Sequence, residues 1–297
     1  MRKTHPWYVI SYPMGDEDAV LYHCLEELNN VSEKGIAVLP EYVAYTPKQA
    51  EKALMKLKET ATKRKISIIT TLNIVPVHLP YMKNNSNYNT LVVITKEGKV
   101  HTPQAKITPQ SFERRQYDEK FPKINVSDYY YLNKVQMKID NEVKTALFVI
   151  CSDIYTLLAG VKDVQDFKVD YCIVPGNFGN GAEAAVKRVL QRFRSAGIFE
   201  TTIFSNPYQL LKKAEQTPLV QKACDYEQKE QDVSSSLTDW ERIQLLKQNF
   251  LIYPDEHIQS FVHMANYTTM DKGRITVPMS RFHINVKVEQ YPEMIVL

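Results

Sequence analysis

Between residues 7 and 207, short apolar runs alternate with stretches of helical hydrophobic spacing. Residues 7–11 (WYVIS), 36–39 (IAVL, ended by Pro40), 66–75 (ISIITTLNIV), 88–95 (YNTLVVIT), 146–151 (ALFVIC), 170–175 (DYCIVP) and 198–205 (IFETTIFS) are short and rich in β-branched or aromatic residues. Such runs read as strands, the most apolar of them buried on both faces. Over 19–34, Ala19, Val20, Leu21, Cys24, Leu25, Leu28 and Val31 recur at helical spacing, with Asp16 or Asp18 available as N-cap and Gly35 as terminator. Thr46-Pro47 places an N-cap before a proline at the first helical position, and that helix runs to about Lys65 with Ala50, Ala53, Leu54, Leu57 and Ala61 inside. A further helix covers 182–196 around Ala185, Val189, Leu190 and Phe193, and 164–168 belongs to another. Glu97-Gly98 joins 88–95 to 99–102 as an antiparallel hairpin. Short strands at 129–132 and 135–139 lead to a turn at Asp140-Asn141. Strands alternating with helices imply a layered α/β domain with helices outside a sheet.

The pattern changes after Tyr208. Residues 210–216, 219–228 and 237–248 have helical character, with Pro218 separating the first two. Apolar runs follow at 250–253 and 258–263, then strands at 275–279 and 282–288 (FHINVKV), the last alternating as a half-buried edge strand does. Residues 108–127 are charged and aromatic without a period, a long loop of the kind that usually carries function.

Composition narrows the class. A chain of 297 residues with 44% hydrophobic and 24% charged residues has an ordinary soluble balance. Its net charge of +3, from 37 basic against 34 acidic residues, lacks the basic stripe of a nucleic-acid binder. No apolar run reaches the length of a membrane span, and the N-terminal stretch lacks the apolar core of a signal peptide, so a cytoplasmic protein with no membrane partner is expected. The four cysteines form no C-x-x-C pair, and the seven histidines show no ligand spacing. Neither a metal site nor a disulfide framework is therefore expected. No phosphate-binding glycine motif is present, so no cofactor is expected.

Three of these elements end on a reactive group: Glu41 after IAVLP, Lys106 after VHTPQA, and Cys151 after ALFVI. Singly each has a plain reading. A free cysteine usually packs, and a carboxylate past a strand is usually solvated. In the order Glu, Lys, Cys they resemble the nitrilase superfamily of carbon–nitrogen hydrolases, over about residues 7 to 207. IAVLPEY is similar to that family's strand-Pro-Glu segment, YNTLVVITKEGKV to its hairpin before the lysine, VICSDI to its Cys-(aromatic)-Asp motif, and Arg194 with Asn206 to an Arg…Asn pair around a later strand.

The resemblance implies a four-layer α-β-β-α sandwich, one domain over 1–297 with 207–250 as a helical insertion or replacement. It implies a Cys151 nucleophile, Glu41 as general base and acid, and Lys106 with the backbone N–H of Ser152 around the oxyanion. A second glutamate is carried over to Glu113, from ERRQY, with Glu119 as runner-up. Ser152, Asn177 and Tyr42 are the candidates for contacting substrate. The implied substrate is a small linear amide or carbamoyl compound, and the implied assembly a homodimer or larger, for which 156–161 (TLLAGV) would serve unless it folds inward.

Departures are equally visible. Ser152 replaces the aromatic residue that usually follows the nucleophile, Gln104-Ala105 stand where Tyr-Arg commonly precede the lysine, and Gly197 occupies a usually acidic place. They motivate a second reading, a nitrilase-fold binding or regulatory protein without turnover. A papain-like Cys-His enzyme would need His257, His263 or His283 as base, and no motif around Cys151 resembles that class.

Overall fold

The computed structural model describes residues 6–12, 19–31, 34–82, 86–108, 123–125, 130–154, 157, 167–178, 186, 189–191, 193–194, 196–207, 261–263 and 286–297. Glu113, Glu119, Cys224, the helical pattern expected over 210–248, the runs at 250–253 and 275–279, and most of the 108–127 loop lie outside these residues.

Unbroken burial along the central strands gives the layering directly. In β2 (Ile36–Val38), β3 (Ser67–Ile74) and β4 (Tyr88–Ile94), neighbouring side chains are sent to opposite faces, and both faces are buried. Ala37, Ile68, Leu72, Val92 and Ile94 join one apolar cluster with the buried faces of α1 (Val20–Asn30) and α2 (Pro47–Arg64). Ile36, Val38, Ile69, Leu91 and Val93 join a second cluster with Leu132, Val135, Met137, Ala146 and Phe148 of the other sheet. A sheet so sandwiched reads as continuous apolar runs, as its sequence does.

The first sheet has the order β1-β2-β3-β4-β5, with β1 (Trp7–Val9) and β5 (Val100–Ala105) at its edges. Its β1, β2 and β3 are parallel, and β3, β4 and β5 antiparallel. The second has the order β10-β9-β8-β7-β6-β11, from β6 (Tyr130–Ile139), β7 (Glu142–Phe148), β8 (Val169–Pro175), β9 (Phe199–Ser205), β10 (Phe261–His263) and β11 (Val286–Gln290). A short β12 (Ile295–Val296) also pairs with β6. Helical residues Val186, Val189, Leu190 and Phe193 are buried in the second sheet's cluster. The molecule is an α/β sandwich of two mixed sheets. No helix among the described residues is long and apolar enough to cross a membrane.

Local chemistry explains the boundaries. Thr46 and Gln49 form a reciprocal capping box at the start of α2, and Lys65 closes that helix in the left-handed conformation. Gly98, at φ +83°, turns the β4–β5 hairpin, and Asp140 and Asn141 both adopt positive φ in the β6–β7 turn.

Some expectations need correction. The first helix ends at Asn30 with Val31 as its cap, and its N-cap position is Ala19, which makes no capping side-chain bond. Gly35 does not terminate it. A Cβ there would lie 2.4 Å from the Pro6 carbonyl oxygen, so close backbone approach of β1 selects the glycine. The strands expected at 129–132 and 135–139 are one strand, β6, because β7 pairs with it across the junction at Lys134 and Val135. The strand expected over 36–39, ended by Pro40, is β2, whose ladder pairing stops at Val38 before the chain turns at Glu41.

Candidate active site

The three reactive groups meet where the two sheets face each other. Beyond β2, Pro40 ends the strand and the chain turns. The Glu41 N–H then donates to the Gly176 carbonyl of the other sheet at 2.9 Å, and the Tyr12 hydroxyl donates to the Glu41 carbonyl at 3.2 Å. Lys106 follows β5, its N–H donating to the Asn89 carbonyl (2.9 Å) and its carbonyl accepting from Asn125 N–H (2.7 Å). Cys151 comes after β7, where Val149 and Cys151 still donate to Ile173 and Pro175 of β8 before the chain turns into helical residues Asp153 and Ile154.

Both side chains of the ion pair are shut off from water. Lys106 Nζ lies 2.7 Å from Glu41 Oε1, and the side-chain exposures are 0% and 1%. Desolvating two charges is expensive, and close approach with extra hydrogen bonds offsets it. Asn89 supplies one such bond, its Nδ2 donating to the same Oε1 at 2.8 Å and to the Tyr42 hydroxyl at 3.1 Å. The Lys106 ammonium also sits 5.6 Å from the centre of the Tyr42 ring, a cation–π distance.

Cys151 is 2% exposed and hydrogen-bonded to the Glu41 carboxylate. Burial pushes its thiol well above the ordinary value, and the Glu41 charge adds to this. Lys106 and the Asn177 N–H, which donates to the sulfur, pull the other way. The resting group is therefore a thiol held against a carboxylate. Its backbone has φ +48°, and that of Tyr42 has φ +62°. Positive φ is unfavourable for residues with a Cβ, so the fold holds both in place against local strain. The strand-to-helix turn at Cys151 and the strand-end turn at Tyr42 both lie at the site.

A clamp joins the cysteine turn to the lysine segment. Asp153 accepts from the N–H groups of Ile107 (2.9 and 3.0 Å to its two oxygens) and Thr108 (2.5 Å), and the Ser152 hydroxyl donates to the Thr108 carbonyl (2.7 Å). Burial pushes the Asp153 carboxyl up to about 8, against the opposing pull of Lys106 and of the Thr108 and Ile107 N–H groups. On the other side, Asn206 closes the loop after β8, accepting from Phe178 N–H (2.7 Å) and donating to the Phe178 carbonyl (2.9 Å). That loop carries Gly176 and Asn177.

The sequence-derived candidates thus separate clearly. Glu41, Lys106, Cys151, Tyr42 and Asn177 come together, Ser152 adjoins them with its hydroxyl committed to Thr108, and Glu113 lies outside the described residues. Cys24 and Cys172 are core residues, their thiols raised by burial. Gly197 takes φ +71°, its N–H donating to the Arg194 carbonyl, a helix-ending geometry that accounts for glycine there. Asn89 and Asp153 also belong to the site. Their sequence signals, YNT and CSD, point first to the hairpin and the nucleophile. Among the described residues no group of three or more His, Cys, Asp or Glu could hold a metal ion.

Neither a protein-family model nor a curated protein sequence matches this chain. Solved structures do. A mutant of the Nesterenkonia AN1 amidase, from the nitrilase superfamily, is similar with a TM-score of 0.49 and 13% identity, over 71% of this chain and 80% of that one. The same mutant amidase in complex with butyramide gives 0.47 and 13% over 70% and 78%. XC1258 from Xanthomonas campestris, a CN-hydrolase superfamily protein with an arsenic adduct in its active site, gives 0.44 and 14% over 69% and 74%. All three scores are below 0.5, so the chemistry of this chain has to be judged from its own side chains.

Proposed function

We propose that this protein is a carbon–nitrogen hydrolase of the nitrilase type, cleaving a small linear amide or carbamoyl compound through a thioester on Cys151. One observation carries the reading: a thiol, a carboxylate and an ammonium group from three strand ends share one buried spot, with Glu41 bonded to both partners. A buried Lys–Glu pair is a poor route to stability alone, and a functional site explains why the chain keeps it.

In this mechanism Cys151 Sγ attacks the substrate carbonyl carbon as its proton passes to Glu41. Because burial and Glu41 favour the thiol form, attack and proton transfer are coupled, without a preformed thiolate. Lys106 Nζ and the Ser152 backbone N–H stabilise the tetrahedral oxyanion. Collapse breaks the C–N bond, the amine leaves with the proton from Glu41, and the acyl group stays on sulfur. Water then attacks the thioester, giving a proton to Glu41. The second adduct breaks its C–S bond, the sulfur regains the proton, and the carboxylic acid leaves. Tyr42 and Asn177 border the substrate, and Glu113 is assigned the second, orienting glutamate.

The test is an intact-mass trap across a panel of short amides and carbamoyl compounds. A transient adduct on Cys151, lost in Cys151→Ala together with all turnover, is the expected result. Cys151 labelling by an electrophile with no adduct and no turnover on any panel member would favour the binding protein. Cys151→Ala is the informative change, because removing Glu41 or Lys106 strands a buried charge and costs about 3–5 kcal/mol of stability.

A further inference from the structure

We infer that Asn89 is a positioning residue that fixes the plane of the Glu41 carboxylate and so presents it to the Cys151 thiol. This rests on the reading of Glu41 as the base. A carboxylate held by one donor can swing about its last torsion, which is a broad and shallow rotor. Glu41 has two donors on a single oxygen, Lys106 Nζ at 2.7 Å and Asn89 Nδ2 at 2.8 Å. Two donors converging on Oε1 from different elements define a plane.

Asn89 is itself immobilised. It lies in β4, opposite Asn73 of β3, is 1% exposed, donates its backbone N–H to the Lys123 carbonyl (2.9 Å), and accepts at its carbonyl from the Lys106 N–H. One residue therefore sets the Glu41 side chain directly and the start of the Lys106 segment through its backbone. The second amide hydrogen goes to the Tyr42 hydroxyl, so Tyr42, whose ring lies beneath Lys106, is tied to the same point. The pair of hydrogens on one amide nitrogen couples the base to the aromatic wall.

The test uses Asn89→Leu, which keeps the γ-branched shape without donors, and Asn89→Ala, with the folded state of each checked by thermal unfolding. Two rates are followed against pH: hydrolysis of the best amide, and alkylation of Cys151 by iodoacetamide read by intact mass. Loss of orientation lowers kcat on the order of 10- to 100-fold with KM little changed. Loss of an N–H donor makes the carboxylate easier to protonate, so the acid limb of both profiles moves up by about half a pH unit to one. Folded variants whose limbs stay in place would overturn the inference, even if their rates fall, since that is what a merely structural residue does. The alkylation profile separates the two readings. A shifted limb in a protein that hydrolyses no amide sinks the hydrolase and leaves Asn89 in its role. Full amide hydrolysis with unmoved limbs does the reverse.

Discussion

Asp153 shows how one side chain combines placement with an electrostatic penalty. Its carboxyl accepts the Ile107 and Thr108 N–H groups, yet burial raises it from 3.8 to about 8. A carboxyl whose folded-state value is raised contributes stability that is complete below about pH 4 and is lost as pH rises through about 8. Asp153→Asn removes that dependence. In urea unfolding at pH 5, 7 and 9, the stability advantage of the native chain over the variant should shrink as pH rises. The slope is at most about 1.4 kcal/mol for each pH unit. An advantage that grows with pH would mean that Lys106 and the two N–H groups stabilise the anion, reversing the assignment. Ser152 is instructive in another way. The sequence marks it as a departure in a pocket wall, while the fold turns its hydroxyl to the Thr108 carbonyl, where it helps the same clamp.

At the scale of elements, the loop after β8 shows how little room the site leaves. Gly176 donates to the Ser205 carbonyl (2.7 Å) and accepts from Glu41 N–H (2.9 Å). A Cβ on it would meet the Phe204 ring at 2.7 Å and Asn206 Oδ1 at 3.0 Å. Gly176→Ala should therefore cost about 1–3 kcal/mol by overpacking and displace both Glu41 and the Asn177 N–H that bonds the Cys151 sulfur. Slower alkylation of Cys151 alongside a lowered unfolding midpoint would check this. Thr46→Ala makes the contrast. It removes the capping box of α2, a helix on the far face of the first sheet, at about 1 kcal/mol. The alkylation rate should then match that of the native chain in the folded range. These elements were legible early, since the α2 cap, the hairpin glycine and the strand runs are written in local residue types. The reason for Gly35 was not, because it depends on the close approach of Pro6 and Tyr8.

At the scale of the whole molecule, the C-terminal segment ties the layers together. β11 and β12 both run parallel to β6 at the rim of the second sheet, and Tyr291, Ile295 and Leu297 are buried in the intersheet cluster. Lys96 Nζ, just past β4 in the first sheet, donates to the Leu297 carbonyl at 3.1 Å. Ile295→Ala should lower the unfolding free energy by about 2–5 kcal/mol, measured by denaturant titration. Cys151 reactivity in the folded state should be unaffected, because the site is built by other strands. A loss near zero would show that the segment only lies against the sheet.

Sequence alone determined the layered α/β class, the strands β1 through β5 and β7 through β9 to within a few residues, and three reactive residues each at a strand end. Those features depend on local periodicity and on residue types that are chemically distinctive wherever they stand. Only the tertiary structure decided that Glu41, Lys106 and Cys151 meet, since they are separated by long stretches of chain and a strand end by itself points nowhere in particular. It also decided which polar residues complete the site. Asn89, Asp153 and Asn206 stand in motifs visible in the sequence, but their roles follow from the neighbours to which the two sheets bring them. The left-handed turns at Tyr42 and Cys151 belong to the same category. No local propensity favours that conformation in either residue, and the surrounding packing and hydrogen bonds hold it.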